Sequence, residues 1–144
     1  MGNYNVIIDT NIIVSVLISH KKESSTYKVL ELVFNKDINS YYSDEILSEY
    51  KDVLNRDKFN FDKKMINEFI KEFINTSKLI KLGNNKNDNF DISNIIDKKD
   101  IPFYKLSTCG NINNCYLITG NKKHFPKSDY ILTPSEFLEK YKNK

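Results

Sequence analysis

Short apolar runs alternate along this chain with longer stretches in which apolar residues recur every three or four positions, a pattern that predicts strands interleaved with helices. The first run, Val6, Ile7 and Ile8, is too short for a helix, and its β-branched side chains favour the extended form. It stops at Asp9, and helical turns follow from Asn11 to Ser19. Ser24 and Ser25 can cap a second helix with Tyr27, Leu30, Val33 and Phe34 facing inward. A strand is expected around Ser40 to Tyr42. Ser43 is then a good N-cap, with Asp44 and Glu45 in the first turn, where the helix dipole favours negative charge. Ile46, Leu47, Tyr50, Val53 and Leu54 make the buried stripe of that helix. Glu49 falls about 100° from the stripe's centre, at a rim from which it can reach a cleft beside the core.

A third amphipathic helix carries Met65, Ile66, Phe69, Ile70, Phe73 and Ile74 and is opened by Asp62; Leu79, Ile80 and Leu82 suit a short extended segment after it. The stretch from Gly83 to Asn94 is polar and aperiodic, which reads as a loop long enough to act as a flap. A helix beginning near Asp100, with Pro102 in its first turn, brings Phe103, Leu106 and Cys109 inward and stops at Gly110. Cys115 to Thr119 and Tyr130 to Leu132 are further strands, and Thr133, Pro134 and Glu136 spell a capping box for the last helix. Strands alternating with helices imply a mainly parallel sheet covered on both faces, a three-layer α/β/α sandwich.

The 144 residues fit one domain, 1–144, around a single core. A balance of 22 basic to 19 acidic residues is only mildly positive, so contact with nucleic acid has to come from local patches. Cys109 and Cys115 have no partners at zinc spacing and read as reduced, half-buried core residues. With no leader-like N-terminus and no apolar run of spanning length, the expectation is a cytoplasmic protein with no membrane contact.

The candidate chemistry lies at the strand ends. In open α/β sheets ligands bind beyond the carboxyl ends of the strands, where Asp9 and Asn121 both fall. Glu49 at its helix rim and the tetrad Asp97 to Asp100 add acids that come together only if the fold collects them. Gathered carboxylates raise each other's pKa unless a divalent cation neutralises them, and oxygen ligands without histidine or thiolate select magnesium or manganese over zinc. Water activation by such ions suits phosphodiester cleavage. Each residue also has an ordinary reading: Asp9, Asp97 and Asp100 as helix caps, and Glu49 as a solvated residue.

The motifs VIIDTNIIVSVL, SDEILSEYKDVL, DKKDIPF and LITGNKKHFP, in this order and across nearly the whole chain, resemble those of PIN-domain ribonucleases. The likeness is to the toxin components of type II toxin–antitoxin systems, the VapC-like branch. The resemblance implies a PIN-like, Rossmann-like fold and a divalent-metal-dependent endoribonuclease using one or two Mg2+ or Mn2+ ions. It implies that Asp9, Glu49 and Asp100 are metal ligands, that Asp97 is a further partner, and that Asn121 stands where many PIN domains have a fourth aspartate. The neutral Asn121 lowers the site's charge, although its carbonyl oxygen can still serve a cation or its water. Thr10, Asn11 and Thr119 would orient the acids. The implied partners are an RNA substrate, a cognate antitoxin protein and further copies of the chain in a homo-oligomer.

Lys98, Lys99, Lys122, Lys123 and His124 flank the motifs and are candidates for a rim that holds RNA phosphates, or simply a solvated face. Tyr41, Tyr42 and Tyr104 can stack bases, but core packing explains them as well. A metal-free ribonuclease would have to use His20 and His124, both in lysine-rich loops. Phosphotransfer on Asp9 is disfavoured because Asn11 stands where such enzymes carry a second aspartate. The non-enzymatic alternative is a PIN domain that binds RNA or protein without cutting, which Asn121 favours.

Overall fold

The structure, a computed structural model, describes residues 4–82, 95 and 97–143. Among the described residues five strands form one fully parallel sheet, with helices on both faces in a three-layer α/β/α arrangement. The chain runs β1 (Asn5–Ile8), α1 (Thr10–Ser19), α2 (Ser25–Phe34), β2 (Asn39–Tyr42), α3 (Asp44–Leu54), α4 (Lys63–Thr76) and β3 (Ser77–Leu79). After a short 3-10 turn at Lys98–Asp100 come α5 (Ile101–Ser107), β4 (Cys115–Ile118), a second such turn at Lys122–His124, β5 (Ile131–Leu132) and α6 (Pro134–Lys142).

The strand order is β3-β2-β1-β4-β5. From β1 the chain moves to β2 on one side, and only later places β4 on the other. The crevice between the ends of β1 and β4 is therefore the point where the winding reverses, the usual ligand position in such sheets. Register makes it sharp: Ile8 pairs with Ile118, so Asp9 and Thr119 leave the sheet side by side. The Asp9 N–H still donates to the Ile118 carbonyl at 3.0 Å.

Covered on both faces, β1 buries Val6, Ile7 and Ile8 completely, as a central parallel strand requires. Each such side chain contributes about 1.5–3 kcal/mol. Caps act where the sequence predicts them: Ser43 accepts from the Ile46 N–H, Asp62 from Lys64, and Thr133 and Glu136 close a reciprocal capping box. Three details differ from expectation. β3 starts at Ser77, directly off the end of α4, because its backbone pairs at once with Ser40 of β2. α5 ends at Ser107, short of Gly110, since the Ser107 and Thr108 hydroxyls each donate to the Tyr104 carbonyl at 2.8 Å. Cys109 thus lies beyond the helix, half-buried, while burial pushes the Cys115 thiol up to about 12 and leaves it unreactive. Third, β5 spans only Ile131 and Leu132, leaving Tyr130 outside it and exposed. The expected loop from Gly83 to Asn94 lies outside the described residues. No helix among the described residues is long and apolar enough to cross a membrane.

One buried contact fixes α3 against the sheet. Tyr50 is fully buried, packs edge-on to Phe73 at 5.3 Å and tilted on Phe103 at 6.0 Å, and donates its hydroxyl to the Ile8 carbonyl. Glu49, one residue earlier, is thereby held beside the end of β1. Tyr50→Phe is expected to lower stability by about 1–3 kcal/mol, because a buried hydrogen bond is lost with no water to replace it. A urea midpoint indistinguishable from that of the unaltered protein would show that the bond contributes nothing.

Candidate functional site

Asp9 stands at the reversal point as the N-cap of α1, with extended backbone and its side chain accepting from the Thr10 N–H at 2.8 Å. Only 4% of it is exposed. Two further donors hold it: the Thr119 hydroxyl at 2.6 Å and the Asn11 amide at 3.2 Å, both on Oδ2. Asn11 in turn accepts the Gly120 N–H at 3.1 Å, and Thr119 Oγ1 accepts the Asn121 N–H at 3.0 Å. The capping and site readings of Asp9 are thus compatible, since one carboxylate caps α1 and still faces the cleft. Burial pushes the Asp9 carboxyl up to about 6; the Thr119 hydrogen bond pulls the other way, and the charge of Asp100 adds to the rise.

A cleft of about 350 Å³ opens over this carboxylate and brings Asp9, Thr10, Asn11, Glu49, Asp97, Lys99, Asp100, Asn121 and His124 to its lining. Glu49 is half-buried on α3; burial raises its pKa and the neighbouring Lys99 charge offsets part of the rise. Asp97 is exposed and caps the first 3-10 turn by accepting the Lys99 N–H at 3.0 Å. Asp100 makes no side-chain cap on α5, and its Oδ2 instead meets His124 Nδ1 at 3.1 Å. Burial raises Asp100 and the bond to His124 opposes it. Asn121 is exposed at the mouth. Among the described residues, no three histidine, cysteine or acidic side chains lie close enough to share one metal ion.

The lysines divide. Lys99 lines the cleft, and Lys98 lines a neighbouring groove. Lys122 is ion-paired with Glu136 at the start of α6, at 2.9 Å, while Lys123 is exposed; neither belongs to the cleft lining. Tyr42 is buried against Phe73 at 5.9 Å, and the half-buried Tyr41 donates to Asn5 Oδ1 at 3.2 Å, so both are accounted for by packing. The lining also includes Arg56, Lys58 and Phe59, which the sequence reading does not single out. Arg56 lies two residues beyond the end of α3, so helical spacing from Glu49 gives no signal for it.

The cleft thus sets a buried carboxylate, backed by donors, among further acids and cations. No curated protein matches the chain. A family model described as the PIN domain matches residues 5–123, from β1 into the turn after β4, and so includes every acid of the cleft. PIN domains bind nucleic acid, are generally nucleases and usually use divalent metal ions. With this match over most of its length and a parallel sheet that presents its acids at the reversal point, the chain belongs to the PIN-domain family.

Proposed function

We propose that this protein is a divalent-metal-dependent endoribonuclease, acting in the cytoplasm as the toxin of a toxin–antitoxin pair. The observation that supports the reading best is Asp9: a buried carboxylate held by three donors, facing a cleft that also carries Glu49, Asp97 and Asp100. Burial raises this carboxyl more than its donors and the His124 charge lower it, and a bound cation would relieve that burial. The donors are hard oxygens, joined at the mouth by the Asn121 amide, and this chemistry fits magnesium or manganese. Magnesium-type ions need only one or two carboxylates and keep several of their waters, so the spacing of the acids is compatible with binding. Asp9, Glu49 and Asp100 are the residues we assign to the ion, one or two of them directly and the rest through its waters, with Asp97 as a further candidate.

When bound, such an ion polarises water and offsets charge on a phosphate. The chain's own groups do the rest. Thr10, Asn11 and Thr119 fix both oxygens of Asp9, and His124 fixes Asp100. Lys99 places a cation beside Glu49 at the cleft. The toxin role, an antitoxin covering the cleft and self-association rest on the motif resemblance.

Purified protein should cleave a mixed RNA in manganese and stop in EDTA. Cleavage that persists in EDTA would remove the metal from the proposal. RNA binding without cleavage under any divalent ion would favour the second reading, a PIN domain that binds without cutting. That reading draws on the neutral, exposed Asn121 and on the absence of a three-acid group among the described residues. Growth arrest on expression, relieved by a small DNA-binding protein from the adjacent reading frame, would test the toxin assignment separately.

A further inference from the structure

Arg56, Lys58 and Phe59 line the cleft without belonging to the acid set. They lie in the connection from α3 to α4, which is ordered by its own hydrogen bonds. Arg56 N–H donates to Val53 at 3.1 Å, Phe59 N–H to Arg56 at 3.1 Å and Asn60 N–H to Asp57 at 3.1 Å. Asn60 takes a left-handed φ of 49°, which asparagine tolerates in turns. Successive tight turns therefore fix the stretch that brings all three side chains to the cleft.

Their chemistry is complementary to a single strand. Arg56 is the one arginine among the 22 basic residues of the chain. Its contact with Asp52, at 3.4 Å and open to solvent, competes weakly, and a guanidinium grips phosphate oxygens in pairs. Phe59 is half-buried and stacked on Phe61, with centroids 5.4 Å apart and 10° between planes. The Lys58 ammonium lies 5.0 Å from the centre of the Phe59 ring. With one face of Phe59 taken by Phe61, a base has only the other face, beside the Lys58 and Arg56 cations, and that combination takes bases and backbone of single-stranded nucleic acid.

A neighbouring groove is less favourable to a phosphate chain. This groove, of about 620 Å³, shares Glu49 and Lys99 with the cleft, but sets Asp44, Glu45, Glu49 and Asp52 against Lys98 and Lys99. Four carboxylates against two lysines repel a phosphate chain.

Resting on the nuclease reading above, we infer that Arg56, Lys58 and Phe59 form a single-strand RNA track. The phosphate next to the cleaved one lies on Arg56 and Lys58, its base stacks on Phe59, and the strand leaves over the α3–α4 connection. The acidic groove is not its path.

The test is fluorescence anisotropy of a short labelled single-stranded RNA on the full chain in EDTA, with cleavage in manganese followed in parallel. Phe59→Leu is expected to weaken single-strand binding by about tenfold, Phe59→Trp to restore it, and duplex RNA to bind more weakly and ignore both changes. Arg56→Gln and Lys58→Gln should each reduce the salt slope of log Kd by about 0.7, whereas Lys28→Gln, on the exposed side of α2, should leave it unchanged. Melting curves report whether Phe59→Leu still folds; if it does not, the two salt slopes decide.

Wild-type-like affinity and slope in these variants, with cleavage intact, would overturn the track alone. Equal loss in Lys28→Gln would overturn it in favour of bulk charge, and equal binding of duplex would remove the stacking role. Binding that depends on the three residues without any cleavage would keep the track and sink the nuclease reading. A protein that neither binds nor cuts RNA would end both, and leave these residues to a protein partner.

Discussion

An Asp9→Asn protein is expected to lose RNA cleavage by at least about a hundredfold while remaining folded. The substitution keeps the volume of the side chain and removes its charge. It also breaks the hydrogen-bond sense of the site, because Thr10 N–H, the Thr119 hydroxyl and the Asn11 amide all donate to Asp9. An asparagine has one acceptor oxygen, so its NH2 must confront a donor in either orientation. Loss of a group that merely supports a metal ligand costs about 10–100-fold, and Asp9 is the group being supported. Cleavage of a fluorescent RNA in manganese, by wild type and variant purified side by side, measures the effect. Equal rates would assign the activity to a contaminant or to another residue.

Without a divalent cation, the protein should become less stable as pH rises from about 4 to above 6, by about 3 kcal/mol from Asp9 alone. In the unfolded chain this carboxyl loses its proton near 3.8, whereas burial delays the loss in the folded state to about 6. Between those values the folded state holds more protons, so each step up in pH favours unfolding. Glu49 and Asp100 are displaced in the same direction and add to the slope, though as more exposed groups they are better screened. Glu136, displaced downward on the surface, opposes it only weakly. Urea titrations of EDTA-treated protein across this range should therefore show a decline that flattens in Asp9→Asn. Manganese should raise the melting temperature more at pH 8 than at pH 5, since it binds the ionised form. A metal-free wild type that gains stability over this range, or parallels the variant, would contradict the burial argument.

What the sequence discloses about this molecule is mostly local. Ser43, Asp62 and the Thr133–Glu136 box are legible because a cap and the N–H groups it serves lie within three residues. Asp9 is legible because a β-branched run ends there, and Glu49 because one helical period sets its angle from the stripe. The misread end of α5 has a local cause too: two hydroxyls compete for the Tyr104 carbonyl, which a search for a terminal glycine overlooks. Contacts made by the path of the chain stay hidden. The Asp100–His124 pair spans 24 positions, and Lys122 is drawn to Glu136 by the approach of α6. Arg56, Lys58 and Phe59 sit in an aperiodic connection whose direction only the packing of α3 against α4 decides.

Asn11 uses its amide in both senses, donating to Asp9 and accepting from Gly120, and so staples the first turn of α1 to the loop leaving β4. An aspartate at position 11 would keep the second bond and turn the first into a clash of two anions. With no cation between the two side chains, donor polarity therefore favours an amide over a carboxylate at the residue after Thr10, and the same side chain that orients Asp9 also sets the path of the chain out of β4.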